Sequence, residues 1–376
     1  MGKLFLESLE IQNFRGFRHL QIEKLGRVNL IVGKNNIGKS SLLEALELYA
    51  RPGYPELIGR FSRSRNELRG GQSAENEVEE FLDALRYLFY GMEEIKGDSL
   101  PVRIGPVGKP DETLVLSLAW YLSELEQPGG TFIQRQLQPE EILSVDNPTP
   151  RLNVAIGQQS TNYSLVAAFG SRFRASSLRN TGPRLPNKNC VSIGANGLNS
   201  ESTVTLWENV TLTDLENEVI KALHLIAPGV KDLSFVGRAE GIRNPVPYVR
   251  IEDIDKPLPL GNLGNGMYRL LGIVLAIANA KDGILLIDEI ENGIHYSVQS
   301  DLWKLIFRLA RRLNVQVFAT THSWDSVEGL QQAAEAEHQE EGMLIRLALQ
   351  GENDIKVTLF DERRMEVAVR ERIEIR

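Results

Sequence analysis

The sequence predicts an α/β protein in which two separated stretches, 1–50 and 260–376, together build one mainly parallel sheet, and residues 51–259 form a mixed α+β insertion. Three observations predict it. Val28–Val32 is an unbroken apolar run of the kind buried on both faces of a sheet, and KSSLLEALELYA (39–50) follows it with helical spacing and strong helix formers. From 264 onward strand and helix patterns alternate, which implies parallel strands joined by crossover helices. Between the two parts, proline, glycine and charge breaks interrupt both patterns.

In chain order, Leu4, Leu6, Leu9 and Ile11 mark a first extended segment, and Leu20 and Ile22 mark a second. The first helix cannot pass Arg51-Pro52-Gly53-Tyr54-Pro55. Arginines at 60, 63, 65 and 69 and then a glutamate-rich 71–80 read as a solvated loop. Val78, Phe81, Leu82, Leu85, Leu88, Phe89 and Met92 share one face of a single amphipathic helix, a stripe that reads as core. Residues 101–170 carry short β-type runs such as 113–121 and 163–169, which suggests a small sheet. Thr213-Asp214-Leu215-Glu216 is a capping box for a helix over 215–226. The last third predicts helices at 267–280, 297–313 and 323–336, and strands at 283–288, 315–320, 343–349 and 355–360.

With 376 residues, 42% hydrophobic and 24% charged, the chain can bury a sizeable core and is not compositionally disordered. A net charge of −8 argues against coating nucleic acid by bulk charge, so any such contact must be local. The local exception is 147–200, which has no acidic residue but carries Arg151, Arg172, Arg174, Arg179, Arg184 and Lys188. That stretch fits a phosphate backbone, an acidic protein partner or a solvated loop. The single Cys190 excludes an internal disulfide framework and a cysteine zinc site, and fits a reducing compartment. No apolar run approaches the ~18 residues of a membrane span, and an N-terminus bearing Glu7 and Glu10 lacks the plan of a signal peptide; the expectation is a cytoplasmic protein with no membrane partner.

Gly33-Lys34-Asn35-Asn36-Ile37-Gly38-Lys39-Ser40 matches G-x-x-x-x-G-K-[ST], after a buried strand and at a helix start, where the mechanism requires it. Its backbone N–H groups, with Ser41 next in line, would cradle the phosphates of ATP, Lys39 would reach the β- and γ-phosphates, and Ser40 would hold Mg²⁺. Ile284-Leu285-Leu286-Ile287 ends in Asp288 and Glu289, which places one carboxylate facing the Mg²⁺ and the next beside a water aimed at the γ-phosphate. Such a strand end alone would read as solvated; the phosphate loop gives it meaning. His322 ends the following strand, and is either structural or a γ-phosphate contact from the sheet's carboxyl edge. Gly264, Asn265 and Gly266, opening a helix about twenty residues before the Asp-Glu pair, form a second anion-binding helix start or ordinary turn glycines.

In that order, these elements resemble the ATP-binding-cassette ATPases. The start, Leu9-Glu-Ile-Gln-Asn13-Phe14-Arg15-Gly-Phe17 running to Ser40-Ser-Leu-Leu-Glu-Ala45, is similar to the SMC/RecF branch, and especially to the "AAA family" ATPases akin to the OLD (overcoming lysogenisation defect) proteins. Asp288-Glu-Ile-Glu-Asn-Gly-Ile-His295 and Thr320-Thr-His322-Ser323 agree with that subgroup. The resemblance covers about 1–50 and 260–376, and implies an SMC/RecF-like head that dimerises head to head on ATP and Mg²⁺, with Gly264, Asn265 and Gly266 acting on the partner's nucleotide. It places Arg15 near the nucleotide and makes Lys39, Glu289 and His322 the catalytic set, with Ser40 and Asp288 on the metal. Two departures stand out. Gly264 replaces the serine of the transporter-like Leu-Ser-Gly-Gly pattern, removing a hydroxyl donor to the γ-phosphate and disfavouring rapid hydrolysis. No glutamine-loop residue is assigned.

The absence of a sustained heptad run argues against a long-armed DNA tether, and the roughly fifty residues after His322, with no Asp-x-Asp, argue against a Toprim nuclease in this chain. The expected function is an ATPase working with DNA or with a separately encoded nuclease or toxin effector, anti-phage defence being one setting. Its rivals are a slow ATP-sensing scaffold holding such an effector, and a RecF-like DNA repair mediator.

Overall fold

The computed structural model describes residues 3–52, 54–68, 77–92, 100–125, 132–146, 148–165, 185–237, 245–337, 341–351 and 354–374. The strands are β1 (Leu9–Phe14), β2 (Phe17–Ile22), β3 (Val28–Val32), β4 (Val102–Gly105), β5 (Leu114–Leu125), β6 (Phe132–Gln136), β7 (Thr149–Ile156), β8 (Gln159–Ser164), β9 (Cys190–Ile193), β10 (Val230–Val236), β11 (Val246–Ile251), β12 (Leu258–Pro259), β13 (Ile284–Ile287), β14 (Gln316–Thr320), β15 (Gly342–Gln350) and β16 (Asp354–Phe360). The α-helices are α1 (Lys39–Ala50), α2 (Glu56–Ser64), α3 (Glu77–Arg86), α4 (Ser200–Glu208), α5 (Asp214–Leu223), α6 (Asn265–Asn279), α7 (Tyr296–Arg312), α8 (Trp324–Glu337) and α9 (Glu362–Arg370).

The central sheet runs β16-β15-β3-β14-β13-β9. Every pairing in it is parallel except β15 with β16. Its middle strands are buried on both faces, and the two-residue strand period divides them between two cores. From β3, β13 and β14, the residues Leu30, Leu285, Ile287, Val317 and Ala319 enter the core built with α6, α7 and α8. Their neighbours Ile31, Ile284, Leu286 and Phe318 enter the other, beneath α1. That second core is closed by the antiparallel sheet β2-β1-β4-β5-β7-β8, whose β1, β2 and β4 supply Leu9, Ile11, Leu20, Ile22 and Ile104. A smaller antiparallel sheet, β10-β11-β12, rests against the first core through Val230, Leu233 and Val249.

The strand partners correct the expected boundaries. Of the strands before residue 33, β3 alone joins the parallel sheet; β1 and β2 form a hairpin that pairs through β1 with β4, inside the expected insertion 51–259. Conversely β9, from the middle of that insertion, forms the edge of the parallel sheet beside β13. The amphipathic stripe 78–92 is not one helix either. It stops at Arg86 because the β1–β2 turn captures the chain: Arg15 donates its N–H to the Leu88 carbonyl, and Tyr90 donates to that of Asn13.

Candidate functional site

The phosphate loop hangs between the buried strand β3 and helix α1. Gly38, the N-cap of α1, takes φ 101°, a left-handed conformation that L side chains rarely adopt, and no side chain caps the helix. The first amides of α1 are thereby left uncapped at its N-terminus, the arrangement that binds anions. Lys39 is 6% exposed and curls over the loop, its Nζ donating to the carbonyls of Gly33 (2.6 Å) and Lys34 (3.0 Å) and lying 3.3 Å from His322 Nδ1. Burial pulls its pKa below that of an ordinary lysine, against the opposing charges of Asp288, Glu289 and Glu291.

Parallel pairing brings the ends of β13 and β14 beside that loop. Ser40 Oγ donates to Asp288 Oδ2 (2.9 Å), and Thr320 Oγ1 donates to Asp288 Oδ1 (2.5 Å) while accepting the Glu289 N–H (2.8 Å). Glu289 takes φ 48°. Its carboxylate accepts from Asn292 Nδ2 (2.6 Å) and faces His322 Nε2 at 3.6 Å, while the His322 N–H donates to Glu291 Oε1 (2.8 Å). Behind this arrangement Arg269 of α6, 5% exposed, donates to the carbonyls of Gly194, Asp288 and Glu289.

At the other end, Arg15 of the β1–β2 turn pairs with Glu44 (2.5 Å) and Glu67 (2.7 Å), and Arg65 bonds Glu44 (2.9 Å) and Ser41 Oγ (3.2 Å). Desolvation raises the Glu44 pKa although both arginines pull it down. A cleft of about 880 Å³ joins the two ends and is lined by Arg15, Asn35, Asn36, Gly38, Lys39, Ser40 and Ser41 with Glu289 and His322. Asp288 reaches it through Ser40, and Gly33 stands behind it as the Lys39 acceptor.

Gly264, Asn265 and Gly266 are not among the cleft's lining residues. They start α6 elsewhere, where a Cβ on Gly266 would meet the Gly293 carbonyl at 2.7 Å. Of the basic stretch, Arg172, Arg174, Arg179 and Arg184 lie outside the described residues. Arg151 is held by Asn162 Oδ1 at 2.9 Å, and Lys188 stands 6.0 Å from the Phe5 ring.

Residues without an assigned role in the sequence hold the site in shape: Thr320, Asn292 and Glu291, which stand inside the motifs quoted above, and Arg269, with Glu44, Arg65 and Glu67 around Arg15. Arg269 did carry a signal, as the one charge in the otherwise apolar α6 run MYRLLGIVLAIA. The others are ordinary polar residues whose contacts with the site are made only when the chain folds, so their local sequence does not state them.

This geometry defines the class: an ATP-binding-cassette type ATPase of the SMC/RecF/OLD kind, with a parallel sheet carrying the phosphate loop, the Asp-Glu strand and the histidine strand in adjacent positions. The sequence model of the family described as "AAA domain, putative AbiEii toxin, Type IV TA system" matches residues 28–327, and the chain belongs to that family. A Helicobacter pylori protein named "ATP/GTP phosphatase" is 25% identical over 345 residues, covering 87% of this chain and 88% of that one. A Clostridioides difficile "DNA replication and repair protein RecF" is 46% identical over 41 residues, 11% of each chain. Among solved structures, an SMC head bound to the C-terminal winged-helix domain of ScpA aligns over 95% of this chain and 98% of that one, with 12% identity and a TM-score of 0.49. The SMC head domain of Thermotoga maritima aligns over 94% and 98%, with 15% identity and a TM-score of 0.43. Among the described residues, no helix is long and apolar enough to cross a membrane.

Proposed function

We propose that the chain hydrolyses ATP, with Lys39 and the phosphate loop holding the triphosphate and Glu289 orienting and deprotonating the attacking water. One observation carries the reading: Ser40, Asp288, Thr320, Glu289 and His322, from three separate elements, converge beside one loop of uncapped helix amides. The residues fit Mg²⁺, since a hydroxyl and a carboxylate already in contact form the oxygen pair that such an ion takes. When bound, Mg²⁺ would be held by Ser40 and Asp288 and would neutralise charge on the phosphates. Thr320 turns the Asp288 carboxylate toward Ser40. His322 stands within reach of both Lys39 and Glu289, where it can donate to a phosphoryl oxygen as negative charge builds there.

Gly264, Asn265 and Gly266 lie off this chain's own cleft, which agrees with the trans role that the resemblance to ATP-binding-cassette heads implies, so the reading includes ATP-dependent head-to-head dimerisation. The replacement of the signature serine by Gly264 favours slow turnover, which suits a timer more than a motor. The family description, which names a putative toxin of a type IV TA system, supports a place in such a two-component system, and the separately encoded effector in a defence setting is our extension of it. The description supports this better than the RecF likeness supports DNA, since that likeness spans only 11% of the chain.

Glu289→Gln tests the chemistry: ATP binding persists while turnover falls ~10²-fold or more. Turnover close to wild type in that variant removes the assignment. Lys39→Ala, by contrast, weakens nucleotide binding itself.

A further inference from the structure

Arg269 is a buried cation whose guanidinium is spent on main chain, with no carboxylate paired to it among the described residues. Its Nη1 donates to the Gly194 carbonyl at 2.7 Å, and its Nη2 donates to the carbonyls of Asp288 (2.6 Å) and Glu289 (2.8 Å). Gly194 lies directly beyond β9, and Asp288 and Glu289 lie directly beyond β13, so one side chain of α6 ties together the ends of two neighbouring strands.

Glu289 needs such a tie. At φ 48° a non-glycine residue persists only where its surroundings over-determine it. Here the N–H is fixed by Thr320 Oγ1, the carbonyl by Arg269 and also by the Asn292 N–H (3.1 Å), and the carboxylate by Asn292 Nδ2. Of those three anchors, Arg269 alone comes from a different layer of the fold, and it sits within the first two turns of the helix that Gly264, Asn265 and Gly266 begin. The N-terminus of that helix also packs against Gly293, four residues beyond Glu289. A displacement of this helix end therefore reaches the Glu289 backbone through two contacts.

We infer that Arg269 is a positioning residue that couples the seating of the α6 N-terminus to the aim of the Glu289 carboxylate, so that the carboxylate is aligned for water activation only while that helix end is in place. This rests on the role given to Glu289 above. It adds a route by which whatever engages Gly264 to Gly266 controls the chemistry without touching the water.

The test compares wild type, Arg269→Ala, Arg269→Lys and Glu289→Gln in steady-state turnover and in fluorescent ATP-analogue binding, with circular dichroism confirming the fold. Arg269→Ala is expected to lose ~10²-fold in kcat, the scale of a 1 Å misplacement, while the nucleotide Kd stays within about threefold. Guanidinium ion at tens of millimolar, far below denaturing concentration, should restore part of the lost kcat in Arg269→Ala and none in Glu289→Gln. Arg269→Lys keeps the charge but cannot span three carbonyls, so it should still lose about tenfold in kcat at unchanged affinity. A folded Arg269→Ala with near-wild-type kcat overturns the inference, as does one with reduced kcat that guanidinium does not rescue. If the alanine variant does not fold, near-wild-type kcat in Arg269→Lys overturns it equally. Wild-type turnover in Glu289→Gln would instead strike the assignment of Glu289, and a guanidinium-rescued Arg269→Ala would then tie Arg269 to another group at the same strand ends.

Discussion

At the scale of single residues, the site depends on a lysine held between burial and charge and on a buried threonine that holds the ends of two strands together. Lys39 has its pKa lowered by burial, so between that lowered value and 10.5 the unfolded chain binds more protons than the folded one. Stability of the nucleotide-free protein must therefore rise with pH through that window. Bound phosphates act in the opposite sense, because their negative charge favours the protonated lysine and draws a proton onto it. ATP binding in the same alkaline window is expected to take up protons and to weaken as pH rises, which calorimetry in buffers of different ionisation enthalpy would show; pH-independent affinity there would mean that Lys39 does not meet the phosphates. Thr320→Val separates the metal from the nucleotide. It removes the donor to Asp288 and the acceptor of the Glu289 N–H while keeping the shape, leaving two buried polar groups without their partner. The Mg²⁺ concentration for half-maximal turnover should rise about tenfold or more with ATP affinity little changed, and an unchanged Mg²⁺ requirement would show that the hydroxyl does not orient Asp288.

At the scale of elements, what the sequence revealed and what it hid have different physical origins. Helices α6, α7 and α8 and strands β13 to β16 were legible to within a residue or two, because each is a long periodic or unbroken apolar segment. The phosphate loop and Asp288-Glu289 were legible because phosphate chemistry demands those residue types at fixed spacing. Pairing between strands was not. Nothing local tells Cys190–Ile193, a four-residue run inside a loop-rich stretch, that it will lie against β13, or Leu9–Phe14 that its partner is Val102–Gly105. Such choices are made by the side chains that fill the space between layers. The anchoring contacts around Glu289 were hidden for the same reason, although Thr320 and Asn292 stand inside motifs that were legible. The start of α6 gives this scale its own prediction. Gly266 packs so closely on the Gly293 carbonyl that even a methyl group must displace one of the two segments, and Gly266→Asp adds a negative charge where a phosphate is expected. That variant should bind ATP as a monomer yet fail to associate when ATP is added. ATP-induced association at wild-type concentration would place the dimer contact elsewhere.

At the scale of the whole molecule, charge decides between the partners that the local features leave open. Each copy carries a net −8, so two copies meeting head to head repel at long range, and salt screens that repulsion within roughly 10 Å at 0.1 M. ATP-driven dimerisation of Glu289→Gln, read by light scattering as a mass approaching twice 42.1 kDa, should therefore hold or tighten as salt rises from low to physiological strength. Nucleic-acid binding through 147–200 would respond in the opposite direction. Each phosphate contact contributes about 0.7 to 0.9 to the negative slope of log affinity against log salt, so reversing Arg172, Arg174 and Arg179 to Glu should flatten that slope by ~2 to 3 units. The two measurements share one protein and one salt series. If DNA affinity and slope are identical in the triple variant, the stretch is not a nucleic-acid site, and its six positive residues are left to an acidic protein partner or to solvent. If instead dimerisation itself weakens steeply with salt, the two heads are held by complementary charge rather than by nucleotide and helix start, and the head-to-head contact proposed for Gly264 to Gly266 is wrong.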